Sequence, residues 1–62
     1  MPITPSKMVK LLKENGYEEV SQKGSHLKLR HPQTGVQVIV PMHAKDLPIG
    51  TEKAIRKQAQ IK

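Results

Sequence analysis

The sequence contains no cysteine, no phenylalanine and no tryptophan, and it has a single tyrosine. Without cysteine the chain has neither a disulfide framework nor a thiolate for metal binding or nucleophilic catalysis. This agrees with a reducing cytoplasm as its location. Because the chain has no phenylalanine, no tryptophan and only one tyrosine, aliphatic residues must fill the interior. The 62 residues suffice for one domain, 1–62, and a domain of this size buries only about 60% of the surface that its unfolded chain exposes.

Long apolar runs are also missing. The longest is far shorter than the roughly 20 residues that span a bilayer. The N-terminal segment MPITPSKMVK lacks the charged start and apolar run of a signal peptide. We therefore expect a soluble intracellular domain that does not contact a membrane.

Charge of one sign dominates what is present. Eleven lysine and arginine residues against five aspartate and glutamate residues give a formal net charge of +6. Such an excess attracts polyanions and speeds their encounter with the protein, so nucleic acid is the favoured partner, ahead of an acidic protein. The basic residues are scattered along the chain, so any basic patch must be assembled by folding.

A helix is predicted at the start of the chain, over residues 5–15. Thr4 is a suitable N-cap, and Pro5 suits the first helical position because its missing N–H is not needed there. Gly16 is a typical C-terminal stop. The apolar residues recur at helical spacing: Met8, Val9, Leu11 and Leu12.

Three strands are predicted next, over residues 17–22, 25–31 and 36–40. The segment His31–Gly35, HPQTG, is rich in turn residues and indicates a hairpin loop. Pro41 ends the third strand or places it at a sheet edge.

A loop over 42–49 and a final helix complete the chain. Thr51 is the predicted cap of this helix, and Glu52 follows near its positive end. Its apolar side is predicted to comprise Ala54, Ile55, Gln58, Ala59 and Ile61.

The fold class that follows is α+β, with the order α-β-β-β-α in two layers. Short connections favour an antiparallel three-stranded sheet, because a parallel link needs a dozen or more residues. Both helices must cover the face that carries Leu27 and Leu29. Alternation along the strand sends His26, Lys28 and Arg30 to the opposite face, which is called the open face below.

His26 is the candidate catalytic residue of this open face. Cleavage of an RNA phosphodiester without a metal needs a group that moves a proton and positive charge that stabilises the transition state. Histidine exchanges protons near neutrality, and Lys23, Lys28 and Arg30 are candidates for phosphate binding. Gly24 allows a phosphate to approach the backbone closely. On the pattern alone, an ordinary solvated strand histidine stays the commoner interpretation.

The other polar candidates have weaker patterns. Ser25 is a candidate for orienting His26 or binding phosphate, and His43 is a candidate accessory group if its loop approaches the sheet. His31 is predicted to be a turn residue. No metal site is expected, because His26 and His31 project from opposite faces of a strand and no cysteine or well-spaced carboxylate completes a ligand set. The helix cations Lys7, Lys10, Lys53, Arg56 and Lys57 are predicted to be a solvated surface first and phosphate contacts second.

The step Gly24-Ser25-His26 resembles the signature of the HicA family of toxin mRNA interferases. The likeness continues through VIVPMHAKDLPIGTEKAIRKQAQI, residues 38–61, and includes the opening helix with Gly16-Tyr17. Each motif is short, but together they cover nearly the whole chain in the order and spacing of the family.

This resemblance implies a fold like the double-stranded-RNA-binding domain and the toxin of a type II toxin–antitoxin system. It implies ribosome-independent cleavage of mRNA in the cytoplasm of bacteria or archaea, with His26 as the catalytic residue and no cofactor. It also implies a HicB-type antitoxin that covers the active site, with a free toxin that is monomeric. The alternative from another class is a non-catalytic module of the same fold that binds RNA or a protein.

Overall fold

The computed structural model describes residues 3–43 and 45–61. Its elements are helix α1 (Pro5–Glu14), strands β1 (Glu18–Lys23), β2 (His26–Arg30) and β3 (Gln37–Pro41), and helix α2 (Ile49–Gln58). The strands form one antiparallel sheet in the order β1-β2-β3. The predicted α-β-β-β-α order and antiparallel sheet are thus confirmed, and each strand end differs from its predicted position by one residue.

Helix α1 begins and ends with capping contacts that the sequence predicts. Thr4 Oγ1 accepts a hydrogen bond from the Lys7 N–H at 3.2 Å, and Pro5 occupies the first turn. At the other end Gly16 adopts a φ of +93°. The Tyr17 and Gly16 N–H groups donate to the Leu12 and Lys13 carbonyls at 3.0 and 3.1 Å. This pair of bonds is the Schellman motif, which favours glycine at the left-handed position.

Helix α2 begins earlier than predicted. Thr51 does not cap it; the helix starts at Ile49 after an N-cap at Pro48, which makes no side-chain capping bond. Pro48 has a φ of −57° and a ψ of 147°, so its extended backbone delivers the chain directly into the first turn. Ala54 and Gln58 are exposed, and this corrects their predicted place on the apolar side. α2 contributes Ile55 and, at its C-cap, Ala59 to the core.

The core lies between the helices and one face of the sheet. Strands β2 and β3 contribute Leu27, Leu29, Val38 and Val40, which are at most 5% exposed. They pack with Met8, Val9, Leu12, Tyr17, Leu47, Ile55 and Ala59. Both helices lie closest to β3, so all six residues of β1 are exposed. On the face that packs against the helices, β2 and β3 are therefore covered, whereas β1 is left uncovered.

Tyr17 connects the two helix ends across the core. Its side chain is 5% exposed, and its hydroxyl donates a hydrogen bond to the Ala59 carbonyl at 3.1 Å. Burial raises the pKa of the Tyr17 hydroxyl above its usual range, because the ionised form is poorly solvated there. The only aromatic residue outside the histidines thus serves the core.

Candidate functional site

A two-residue turn presents His26. Lys23 at the end of β1 pairs with His26 at the start of β2, so Gly24 and Ser25 alone form the connection. Gly24 has a φ of +60° and is the only one of the two with a positive φ. A hairpin turn with a positive φ at its first central residue is the type II′ pattern, which takes glycine there. Gly24 and Ser25 therefore set the position of His26 by backbone geometry.

The open face carries three rows of side chains across the sheet. His26 lies between Lys23 on β1 and Pro41 on β3. In the next row, Lys28 lies between Ser21 and Ile39. In the third row, Arg30 pairs with Glu18 and Gln37. The structure thus brings Lys23, His26, Lys28 and Arg30 together, and Arg30 stands beside the only acidic residue among these row positions.

A β-bulge in β1 determines which β1 residue meets His26. The register shifts by one residue between Glu19 and Ser21, with Val20 as the extra residue. Continued regular pairing from Glu19 would have placed Gln22, not Lys23, opposite His26. A bulge is a common device for redirecting side chains beside functional sites. The only sign of this bulge in the sequence is the pair of adjacent glutamates, Glu18 and Glu19, that breaks the alternation at that place.

A shallow groove of about 460 Å³ opens on this face. It is lined by Ser21, Lys23, His26, Lys28 and Ile39. Ile39 is 51% exposed, which gives the groove an apolar wall among cations. An anion with an apolar part suits such a lining, since the cations attract the charge and Ile39 offers contact area. Nothing in the sequence marks Ile39 as a site residue, because an isoleucine is an ordinary residue of a β-strand.

His43 lies beside His26 on the same side of the domain. The N–H of Met42 donates to the Ser25 carbonyl, which extends the β2–β3 pairing one residue beyond Pro41. The imidazole Nδ1 of His43 is 3.2 Å from Ser25 Oγ. The ring centroids of His26 and His43 are 6.0 Å apart, with an interplanar angle of 67°. The loop after β3 therefore does approach the sheet.

His31 belongs to a different environment. Its ring stands nearly perpendicular to the Tyr17 ring, with centroids 5.1 Å apart and an interplanar angle of 84°. Its Nδ1 accepts hydrogen bonds from the N–H groups of Gln33 and Thr34 at 3.2 and 3.4 Å. His31 is therefore a turn residue, as predicted, and it also packs against Tyr17 of the core.

Within residues 3–43 and 45–61, no three histidine or acidic side chains cluster in a way that could hold a metal ion. The helix cations belong to the helical layer, and one of them, Arg56, forms an ion pair with Glu52 at 3.0 Å. In the same ranges, no helix is long and apolar enough to cross a membrane. Among the described residues, the histidines and cations of the open face are thus the candidate functional site.

These observations define a class: a small α-β-β-β-α domain whose uncovered sheet face carries a histidine among basic residues. Residues 5–61 match the family described as HicA toxin of bacterial toxin-antitoxin. The chain therefore belongs to the HicA toxin family. It is the toxin of a toxin–antitoxin system, and an antitoxin is its partner. No curated protein matches the chain.

Proposed function

We propose that this toxin is a metal-independent and ribosome-independent endoribonuclease that cleaves mRNA, with His26 as its catalytic residue. The observation that carries the proposal is the groove in which the exposed His26 lies with Lys23 and Lys28. An imidazole supplies proton transfer near neutral pH. The adjacent cations supply the positive charge that a phosphoryl transition state requires.

The reaction is a transesterification within the RNA chain. A base removes the proton of a 2′-hydroxyl, and the 2′ oxygen forms a bond to the adjacent phosphorus. The bond from phosphorus to the 5′ oxygen then breaks, and that oxygen takes up a proton. His26 serves as general acid or base in this sequence, and the products are a 2′,3′-cyclic phosphate and a 5′-hydroxyl end.

The substrate is a single-stranded region of mRNA. Lys23 and Lys28 flank His26 and contact the phosphates of the RNA, and Arg30 adds a further cation along β2. Gly24 has no heavy atom within 4 Å of the place that a Cβ would occupy, so a phosphate has room to approach the turn. The open face has no aromatic side chain for base stacking other than histidine, so sequence preference by stacking is weak.

The antitoxin partner is of the HicB type and covers the open face. An acidic surface on that partner would complement the +6 charge of the toxin. The free toxin is a monomer in the cytoplasm of its bacterial or archaeal host. Burial of His26 by the antitoxin then accounts for inhibition without any change in the toxin fold.

A comparison of RNA and DNA substrates tests the proposed activity. Purified toxin in excess EDTA is expected to cleave a single-stranded RNA and to leave DNA of the same sequence intact, because only RNA has the attacking 2′-hydroxyl. The new ends are identified by mass spectrometry as cyclic phosphate and 5′-hydroxyl. Activity that disappears with EDTA, or cleavage of the DNA, would contradict the mechanism. RNA binding without any cleavage would favour a non-catalytic module.

Salt dependence tests the cations of the open face as RNA contacts. Each phosphate neutralised on a single strand contributes about 0.7 to the slope of log affinity against log salt concentration. The triple variant Lys23→Ala, Lys28→Ala, Arg30→Ala is therefore expected to lower that slope by about 2. A matched triple variant of the helical layer, Lys7→Ala, Lys10→Ala, Lys53→Ala, removes the same charge and should change the slope less. Equal slopes for the two variants would argue against the open face as the RNA surface.

A further inference from the structure

The geometry points to His43 as the second proton-transfer group of the site, with Ser25 as its positioning residue. This inference rests on the endoribonuclease activity proposed above. One histidine can remove the proton of the 2′-hydroxyl, but the departing 5′ oxygen also needs a proton. A second group within reach of the same phosphate therefore completes the reaction.

The placement of His43 meets this requirement. A general acid or base must come within about 2.6–3.2 Å of the atom that it serves. The centroids of the His26 and His43 rings are 6.0 Å apart, so one ring can reach the 2′-hydroxyl while the other reaches the 5′ oxygen of the same phosphate. Both side chains are exposed, and an RNA strand can reach them without any rearrangement of the fold.

Ser25 restricts the orientation of the His43 ring. Its Oγ is 3.2 Å from His43 Nδ1, and this contact leaves the other ring nitrogen, Nε2, available to the substrate. Ser25 is itself held by the two-residue turn and by the bond from the Met42 N–H to its carbonyl. The same turn therefore positions both histidines, which gives the Gly24-Ser25-His26 step a second role.

The other titratable groups nearby are less suitable. Lys23 pairs with His26 across the strands, and Lys28 lies one row further along. Lysine side chains carry their charge firmly near neutral pH, which suits charge stabilisation better than proton exchange. The nearest acidic residue of the open-face rows, Glu18, is in the row of Arg30. Lys45 and Asp46 are exposed in the loop that follows His43.

In the balanced reaction, one imidazole takes the 2′-hydroxyl proton while the 2′ oxygen bonds to phosphorus. The other imidazole, protonated at the start, gives its proton to the 5′ oxygen as the bond from phosphorus breaks. The two rings finish in exchanged protonation states, and proton exchange with water restores them. No oxidant, metal or further reactant enters the step.

A substrate with a sulfur leaving group tests this assignment. RNA whose scissile 5′ oxygen is replaced by sulfur needs no general acid, because a thiolate departs without protonation. His43→Ala is expected to lower cleavage of ordinary RNA by about 10²–10⁴-fold, as is His26→Ala. On the sulfur substrate, one of these two variants should recover near the rate of the unsubstituted protein, and the other should stay inactive. Recovery identifies the general acid, and a purely structural effect of the substitution would not depend on the leaving atom.

Variants of Ser25 test its positioning role, and a variant of Asp46 serves as a control in the loop of His43. Ser25→Ala should lower cleavage and Ser25→Thr, which keeps the hydroxyl, should restore it. Asp46→Asn, in the same loop as His43, should cleave both substrates as the unsubstituted protein does. Full activity of His43→Ala on ordinary RNA, or recovery of neither variant or of both on the sulfur substrate, would overturn the inference. The proposed function would still stand in the first of these cases, provided that His26→Ala is inactive.

Discussion

Substitution of His26 by alanine is expected to lower the rate of RNA cleavage by about 10²–10⁴-fold, equivalent to about 2.7–5.5 kcal/mol of transition-state stabilisation. The imidazole is exposed and makes no contribution to the core, so the variant should keep its fold and melting temperature. RNA affinity should change little, because Lys23, Lys28 and Arg30 remain. The measurements are single-turnover cleavage, RNA binding and thermal unfolding.

A matched control separates catalysis from general electrostatics. Lys53→Ala removes a full positive charge from α2, in the layer opposite the open face, and is expected to leave the cleavage rate nearly unchanged. A His26→Ala variant that still cleaves at the original rate would eliminate His26 as the catalytic residue. An equal loss of cleavage and of RNA affinity would instead indicate that His26 binds RNA and does not move protons.

The element order and the place of His26 could be predicted because each depends on local patterns. Alternation over five residues of β2 assigns Leu27 and Leu29 to the core and His26 to the other face, and Thr4 and Gly16 mark the ends of α1. The start of α2 could not be predicted in the same way. Thr51 is a good cap by residue type, but the extended backbone of Pro48 starts the helix two residues before it.

The finer geometry of the site depends on pairing between strands, which no single segment reveals. The bulge at Val20 shifts the β1 register and brings Lys23 to His26. Ile39 enters the groove because it pairs with Lys28. His43 reaches Ser25 because the β2–β3 pairing continues into the loop. The sequence gives the chemical type of each of these side chains, whereas the distances between them are set by how the strands pair.

The largest effect on stability is expected from Gly16→Ala. Gly16 has a φ of +93°, and an added Cβ would lie 2.7 Å from His31 Nε2. The left-handed backbone costs a residue with a Cβ roughly 1–2 kcal/mol, and forced overpacking adds about 1–3 kcal/mol. A loss of about 2–5 kcal/mol is a large share of the roughly 3–9 kcal/mol expected for a domain of this length. The melting temperature should fall by about 10 °C or more.

The His31 ring cannot easily move aside, and this makes the contact costly. The ring is packed against Tyr17, and its Nδ1 accepts two N–H bonds from the hairpin loop. A shift of the ring would give up those contacts. The double variant Gly16→Ala, His31→Ala should therefore lose less free energy of unfolding than the sum of the two single variants. Additive losses in chemical denaturation would show that the contact with His31 has no part in the effect.

Two other positions isolate the backbone contribution. Gly24 has a φ of +60° with open space around it, so Gly24→Ala should cost the backbone strain of about 1–2 kcal/mol alone. At the end of α2 the same Schellman bonds run from Gln60 and Ile61 to Lys57 and Arg56, and Gln60 has a φ of 60°. Gln60→Gly should therefore stabilise the domain by about 1 kcal/mol. The excess loss of Gly16→Ala over Gly24→Ala then measures the contact with His31, and no excess would mean that backbone strain alone keeps glycine at position 16.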